Sequence, residues 1–324
     1  MKTKYSLSCL LVAALFAACD DDHEAPVNPD WDYPVVITAQ AYSYDAQAGG
    51  TTWVGPDNAL GVTFLQEGEA GVDQVVAPYA NLQYLANGIS DQDYFVPADI
   101  NAIPYFPASG EKRHVAAYFP YSVKVIDQQL PINLHADGKD YASKLLFARV
   151  DNMDKDHRKC MLKMRPALSQ ITFRFKVGEP FTMEQLEAMK VTLKGFHLSG
   201  LFKTTDGMVS FRAEDTADGE IALAVPEKKK AVVRAAEEKY VLQGIALPST
   251  ATATYEVEVI CNGQTYTQKF IVENIDELKG GYVYTFEPTF EGDKMMLNCQ
   301  SAPIINWKPG DGEISGDGEE INND

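Results

Sequence analysis

Ile171-Thr172-Phe173-Arg174-Phe175-Lys176-Val177 alternates apolar and polar side chains without a break. Successive side chains of a β-strand point to opposite faces, so this segment has one apolar and one polar face. That is the pattern of a half-buried antiparallel strand. The same period returns in Ile221-Ala222-Leu223-Ala224-Val225 and in Tyr255-Glu256-Val257-Glu258-Val259. Asn262-Gly263 then supplies two positions that accept positive φ, as a tight hairpin requires, and leads into an expected strand over Thr265–Val272. Asp206-Gly207 does the same between Leu201–Lys203 and Val209–Phe211. Thr182 followed by Gln185 forms a capping-box pattern, which predicts one short helix carrying Leu186 and Met189.

Shorter strand-like segments precede this region: Val35–Ala39, Leu60–Leu65, Asn81–Leu85, Tyr94–Val96 and Val115–Phe119. Gly49-Gly50, Gly55-Pro56, Ala108-Ser109-Gly110 and Asp137-Gly138 punctuate them as turns. Sixteen Tyr and fifteen Phe favour β-structure further. The chain has 324 residues, above the length of about 250–300 at which a single core stops growing. The expectation is therefore an all-β protein with two β-sandwiches in tandem, over 34–160 and 161–308, and one short helix in the second. The charged run Glu227–Lys239 reads as a solvated loop or surface helix. Residues 309–324 are acidic and Gly-rich, cannot build a core, and read as a flexible acidic tail.

The N-terminus carries a different kind of information. Lys2 and Lys4 precede the apolar run Leu10–Phe16, which is too short to span a bilayer of about 30 Å. Ala17-Ala18-Cys19 follows and resembles a bacterial lipobox. The resemblance implies a signal peptide over 1–18, cleavage before Cys19, and acylation of that residue as anchor in the outer-membrane lipid bilayer. A plain signal peptide with an incidental Cys is the competing reading. Asp20, Asp21, Asp22 and Glu24 resemble the export signal of surface lipoproteins in Bacteroidetes; otherwise residues 19–33 are simply an acidic tether. Several acyl chains hold a protein firmly where a single one does not.

Net charge is −18, and loss of Lys2 and Lys4 with the signal would bring it to −20. Such a surface repels a phosphate backbone, which excludes nucleic acid as a partner. Beyond the signal, Cys160, Cys261 and Cys299 remain, an odd set with no short spacing. It makes a poor disulfide framework and a poor metal site, so buried free thiols are expected. His23, His114, His135, His157 and His197 share no metal-ligand spacing, and no nucleophile elbow, phosphate loop or C-x-x-C occurs. Asp151, Asp154 and Asp156 could recruit calcium. However, the Gly and distal Glu of a calcium loop are missing and Lys155 intrudes, so a solvated turn is the simpler reading. No enzyme, cofactor or metal is expected.

Other segments together resemble the fimbrillin family, the pilins and anchor proteins of type V fimbriae. They are Leu168–Phe175, Val191–Gly207, Ile245–Ser249, Gly263–Tyr266 and Lys279–Thr285. Tyr105-Phe106-Pro107 and Ala116–Tyr121 look like that family's aromatic-Pro segments, and Ile304–Trp307 looks like its closing strand. The resemblance spans about residues 35–308. It implies two transthyretin-like β-sandwich domains, a role in fimbriae and adhesion, and fimbrial subunits as partners. It also implies assembly by strand exchange, in which a protease cuts after a basic residue and a neighbour's C-terminal strand fills the opened groove. No Lys or Arg occurs between Cys19 and Lys112, so such a protease has nothing to cut there. This favours an anchor-like or accessory subunit over a shaft pilin. Pro303, Ile304, Ile305 and Trp307 form the candidate strand-donor or partner contact. Asp215-Thr216-Ala217 resembles a short O-glycosylation signal, which makes Thr216 a candidate acceptor. The alternative from another class is a surface glycan-binding lipoprotein of a nutrient-uptake system, although Trp31, Trp53 and Trp307 form no evident sugar platform.

Overall fold

In the computed structural model the strand anticipated around Phe173 is Ser169–Lys176. The structure describes residues 33–41, 58–87, 94–134, 144–178, 180–225, 232–234, 238–250, 255–270, 277–292 and 294–303. The first half contributes β1 (Val36–Ala41), β2 (Ala59–Glu67), β3 (Asp73–Val75), β4 (Leu82–Ala86) and β5 (Tyr94–Pro97), then β6 (Arg113–Phe119), β7 (Gln129–Asn133), β8 (Leu146–Met153) and β9 (Lys159–Pro166). β2 pairs with β4 on one side and with β6 on the other. The order β2-β4-β5-β1-β9-β8-β6 therefore returns to β2, and the sheet closes like a barrel. Closure leaves these strands without a bare edge. Ile37, Leu60, Val62, Phe64, Tyr84, Phe95, Val115 and Leu162 fill the interior.

The second half begins after only Ala167-Leu168. It contains β10 (Ser169–Lys176), α1 (Met183–Glu187), β11 (Lys190–Phe196), β12 (Ser199–Lys203), β13 (Val209–Ser210) and β14 (Gly219–Ala222). There follow β15 (Val232–Arg234), β16 (Glu238–Ala246), β17 (Ser249–Thr250), β18 (Tyr255–Cys261), β19 (Gln264–Phe270), β20 (Glu277–Leu278), β21 (Tyr282–Glu291) and β22 (Lys294–Pro303). A five-stranded sheet, β15-β16-β10-β21-β22, faces a four-stranded sheet, β14-β11-β18-β19. Phe173, Phe175, Leu242 and Phe286 from the first meet Leu193, Val257, Val259 and Tyr266 from the second in one core. The chain is thus all-β apart from α1 and short 3-10 turns, among the described residues.

Both turn expectations hold at the backbone: Asn262 and Gly263 have φ 50 and 76, and Gly207 has φ 76. Thr182 caps α1 through its hydroxyl, which accepts from the Gln185 N–H, while the Gln185 amide returns to the Thr182 N–H. Leu186 is buried on α1, whereas Met189, expected on the helix, is buried just beyond its end. Two local expectations change. Within Glu227–Lys239, Val232–Arg234 is a strand on the edge of β16 rather than a loop or helix. An open sheet edge and the β-branched pair Val232-Val233 outweigh the surrounding charge. Ile221–Val225 is not one continuous strand in one sheet: Ala222 pairs with Thr192 of β11, whereas Ala224 bridges to Gln243 of β16. The segment therefore turns the corner between sheets. β10 is antiparallel to β16 but parallel to β21, and its polar face is buried at Gln170 and Thr172 and open only toward Lys176; Thr172 takes amide hydrogen bonds from Gln170 and Gln243.

The halves meet through a shared sheet. β7 from the first half pairs with β12 from the second, Ser199 opposite Asn133 through Lys203 opposite Gln129. Behind it Tyr118, Leu130, Ile132, Leu168, Phe202 and Leu247 form a third core. The Tyr118 hydroxyl donates to the Asn81 side-chain Oδ1 at 2.8 Å and accepts the Ser122 N–H at 3.1 Å. Gly61 lies beneath that ring, where a Cβ would overlap it.

Candidate functional site

β1 is the first strand of the closed sheet. It lies between β5, antiparallel, and β9, parallel, with Val36 opposite Lys159 and Ala41 opposite Met164. Ile37 and Ala39 are buried in the barrel interior. Removing β1 would therefore bare both β5 and β9 and open an apolar slot between them. At the other end of the chain, β22 is an edge strand of the five-stranded sheet and forms a long hairpin with β21, Lys294 opposite Glu291 through Pro303 opposite Tyr282. Met295 is buried and Leu297 and Cys299 pack on the core, while Lys294 and Met296 are exposed. Lys294–Pro303 is thus already engaged in its own sheet.

Where the halves face each other lies a groove of about 1130 Å³. Its floor is the outward face of β8 and β9: Phe147, Arg149, Met161, Lys163 and Arg165. Met208, Phe211 and the segment Lys279–Tyr282 form the opposite side. That last segment is pinned to the switch between β9 and β10. The Ser169 hydroxyl donates to the Lys279 carbonyl at 2.9 Å, and the Gly281 N–H donates to the Leu168 carbonyl at 2.9 Å. A Cβ at Gly280 would overlap the Ala167 carbonyl oxygen, and Gly281 sits at φ 77. Both glycines are required by this close approach.

Arg149 is held by Asp73 at 2.5 Å and by Asp151 at 2.7 Å. The hydrogen bond from Arg149 keeps the Asp73 carboxyl below the usual carboxylate range, and Asp73 in turn raises Arg149. Asp206 is taken up by Lys203 at 2.6 Å. By contrast, Lys163 and Arg165 are exposed and carry no ion pair among the described residues.

The sequence profile of a fimbrillin-like family matches residues 46–307, most of the chain. The chain belongs to the fimbrillin-like family. Its fold is similar to that of a candidate cell adhesion protein of Bacteroides uniformis, with TM-score 0.60, 18% identity, 85% of this chain covered and 100% of the other. A candidate cell adhesion protein of Bacteroides ovatus is similar at TM-score 0.56 and 20% identity, covering 84% of this chain and 98% of the other. No curated protein matches the chain.

Among the residues singled out in this fimbrillin-like sequence, Cys19, Asp20, Asp21, Asp22, Glu24, Ile304, Ile305 and Trp307 lie outside the described residues. Pro303 is the last described residue and stands opposite Tyr282 at the groove. Thr216 is exposed, and its hydroxyl donates to Asp218 at 2.7 Å. The neighbouring Asp215 is buried. It accepts from Ser199 at 2.5 Å and from Arg212, contacts that push its carboxyl far below the usual range. The acid of the Asp215-Thr216-Ala217 pattern is therefore consumed by the fold. Asp154 holds its turn by accepting from the Asp156 and His157 N–H groups, and no metal-binding cluster occurs among the described residues. The sequence reading missed the groove and its cations. The alternation in Lys159-Cys160-Met161-Leu162-Lys163-Met164-Arg165 carried the signal, but not which surface it would face.

Proposed function

We propose that this protein is a non-enzymatic surface component of fimbriae, with a role in adhesion or assembly, acting as an anchor-like or accessory subunit rather than a repeating shaft subunit. Family membership supports the fimbrial part of this reading. The observation that carries the subunit type is β1: it is sealed between β5 and β9, and no Lys or Arg precedes it between Cys19 and Lys112. A protease specific for basic residues has no site from which to release it. A subunit that keeps its own strand has no open groove, cannot accept a donor there, and ends or begins a polymer instead of extending it.

In this reading, acylated Cys19 tethers the chain to the outer membrane, and Asp20, Asp21, Asp22 and Glu24 direct it to the cell surface. The two transthyretin-like β-sandwich domains of this reading, expected over 34–160 and 161–308, would be built on the closed sheet and on the pair of facing sheets, with β9 of the closed sheet extending the first to Pro166. Fimbrial subunits are the partners, approached through the C-terminal segment Pro303–Trp307, and Thr216 accepts a glycan. Since Asp215 is buried in the folded chain, that transfer would precede folding. Crosslinking mass spectrometry on intact envelopes tests the whole. Links to another β-sandwich pilin or lipoprotein are expected. Self-crosslinked ladders with a new N-terminus inside residues 25–60 would overturn the subunit type, and links only to outer-membrane transporters would favour glycan uptake.

A further inference from the structure

The outward face of β9 is a basic strip on an acidic molecule. Lys159, Met161, Lys163 and Arg165 are exposed in alternation, on a chain of net charge −18. Lys163 and Arg165 line the groove, and neither is neutralised among the described residues, although Arg149 at the same groove is. Solvated cations of this kind attract carboxylates within a Debye length of about 8 Å at physiological salt.

The chain itself delivers carboxylates to this place. β22 ends at Pro303, whose register partner Tyr282 lines the same groove. Two more residues in that register would lie beside Gly281 and Gly280, also at the groove. Ile304, Ile305 and Trp307 follow, and then Asp311, Glu313, Asp317, Glu319, Glu320 and Asp324, against a single Lys308. An extended chain advances roughly 3.3 Å per residue, so Asp311 can reach about 26 Å from Pro303, about the length of the eight-residue strand β9. The order in the sequence also matches: the apolar Ile304, Ile305 and Trp307 come first after β22 and the acids follow, while the groove offers the apolar Phe211, Leu278 and Tyr282 as well as Lys163 and Arg165.

We propose that the groove between the halves is a docking site for an acidic peptide, and that its resident occupant is this chain's own C-terminal segment, residues 304–324. Exposed ion pairs are individually weak. The tail is tethered at the groove mouth, however, and a short flexible tether gives an effective concentration of the order of mM. A contact too weak to detect between separate molecules is then largely formed within one. While docked the tail occupies the groove, and a partner's acidic segment or higher ionic strength displaces it. This inference does not depend on the fimbrial role, since it requires only the groove, its cations and the tail.

Zero-length carbodiimide crosslinking of the full chain, read by mass spectrometry on the monomer band, tests it. Tail carboxylates should link to Lys163 and Lys279 in preference to Lys190 and Lys269, which are on β11 and β19. Arg165→Glu alters only an exposed side chain and should lower the Lys163 yield about two- to fivefold, the loss of one exposed pair. Raising NaCl to about 1 M, where the Debye length is near 3 Å, should do the same in the unaltered protein. Equal yields at Lys190 and Lys269, or a Lys163 yield indifferent to Arg165→Glu and to salt, would overturn the proposal. Links confined to a crosslinked dimer would assign the groove to the tail of a second copy instead and would also overturn it. Failure of the fimbrial reading would leave these yields unchanged.

Discussion

Asp215 is the residue on which sequence pattern and structure pull in different directions. Beside Thr216 it looks like part of a modification signal, yet its carboxylate is buried and spent on Ser199 and Arg212. A carboxyl held below its unfolded value of about 3.9 stabilises the fold above that pH, and the contribution is lost as pH falls toward the folded value. Asp73, held low by Arg149, acts in the same direction. Thermal stability should therefore decline below about pH 4. Asp215→Asn, which weakens hydrogen bonds to a charged group, should cost about 1–3 kcal/mol near neutral pH and flatten that acid decline. A melting curve series from pH 3 to 7 on both proteins checks it; parallel curves would show that Asp215 contributes nothing specific. The thiols give a second test at this scale. Burial pushes Cys160 and Cys299 up to about 12, and Cys261 is buried as well. At pH 8 a thiolate reagent should leave Cys160 and Cys261 unlabelled in the native protein and label them promptly in guanidinium.

At the scale of elements, the segment Lys279–Tyr282 explains why two adjacent glycines stand there. Gly280 leaves room for the Ala167 carbonyl, and Gly281 turns the chain at positive φ to donate to Leu168. These contacts fix the start of β21 against the β9–β10 switch, and so fix one side of the groove. Gly280→Ala should force that approach apart, with a cost of about 1–3 kcal/mol by overpacking. Denaturant unfolding measures it, and a variant as stable as the parent would mean that the junction relaxes freely. β1 and β22 make a contrast at the same scale. β1 is flanked on both sides and buried, whereas β22 has one strand neighbour among the described residues and presents an edge. An edge is where added strands pair, so β22, like the other edge strands β14, β15 and β19, offers backbone groups that β1 does not.

For the whole molecule, the proposed acylation of Cys19 would set where the protein works, and it can be tested directly. Clickable fatty acid supplied to cells should label the protein, and Cys19→Ala should abolish the label; equal labelling of both would remove the lipid anchor. The shared β7–β12 pairing and the Tyr118–Phe202 core tie the halves together, with those rings 6.2 Å apart. The surface is thus built from both halves, with the groove between them.

The sequence by itself determined the local elements. Period-two alternation marked β10 and β18, Asn262-Gly263 and Asp206-Gly207 marked hairpins, and Thr182 with Gln185 marked the one helix, because these signals lie within a few residues of chain. It also carried the family resemblance, since ordered motifs survive in one dimension. What only the tertiary structure decided was pairing between distant strands. Closure of β2 on β6, parallel insertion of β1 beside β9, and β7 joining β12 depend on backbone hydrogen bonds that any residue can make. Side-chain patterns do not specify them. For the same reason the sequence showed that Lys163 and Arg165 share a face, but not that this face meets the end of β22. That meeting is set by the strand order of two sheets.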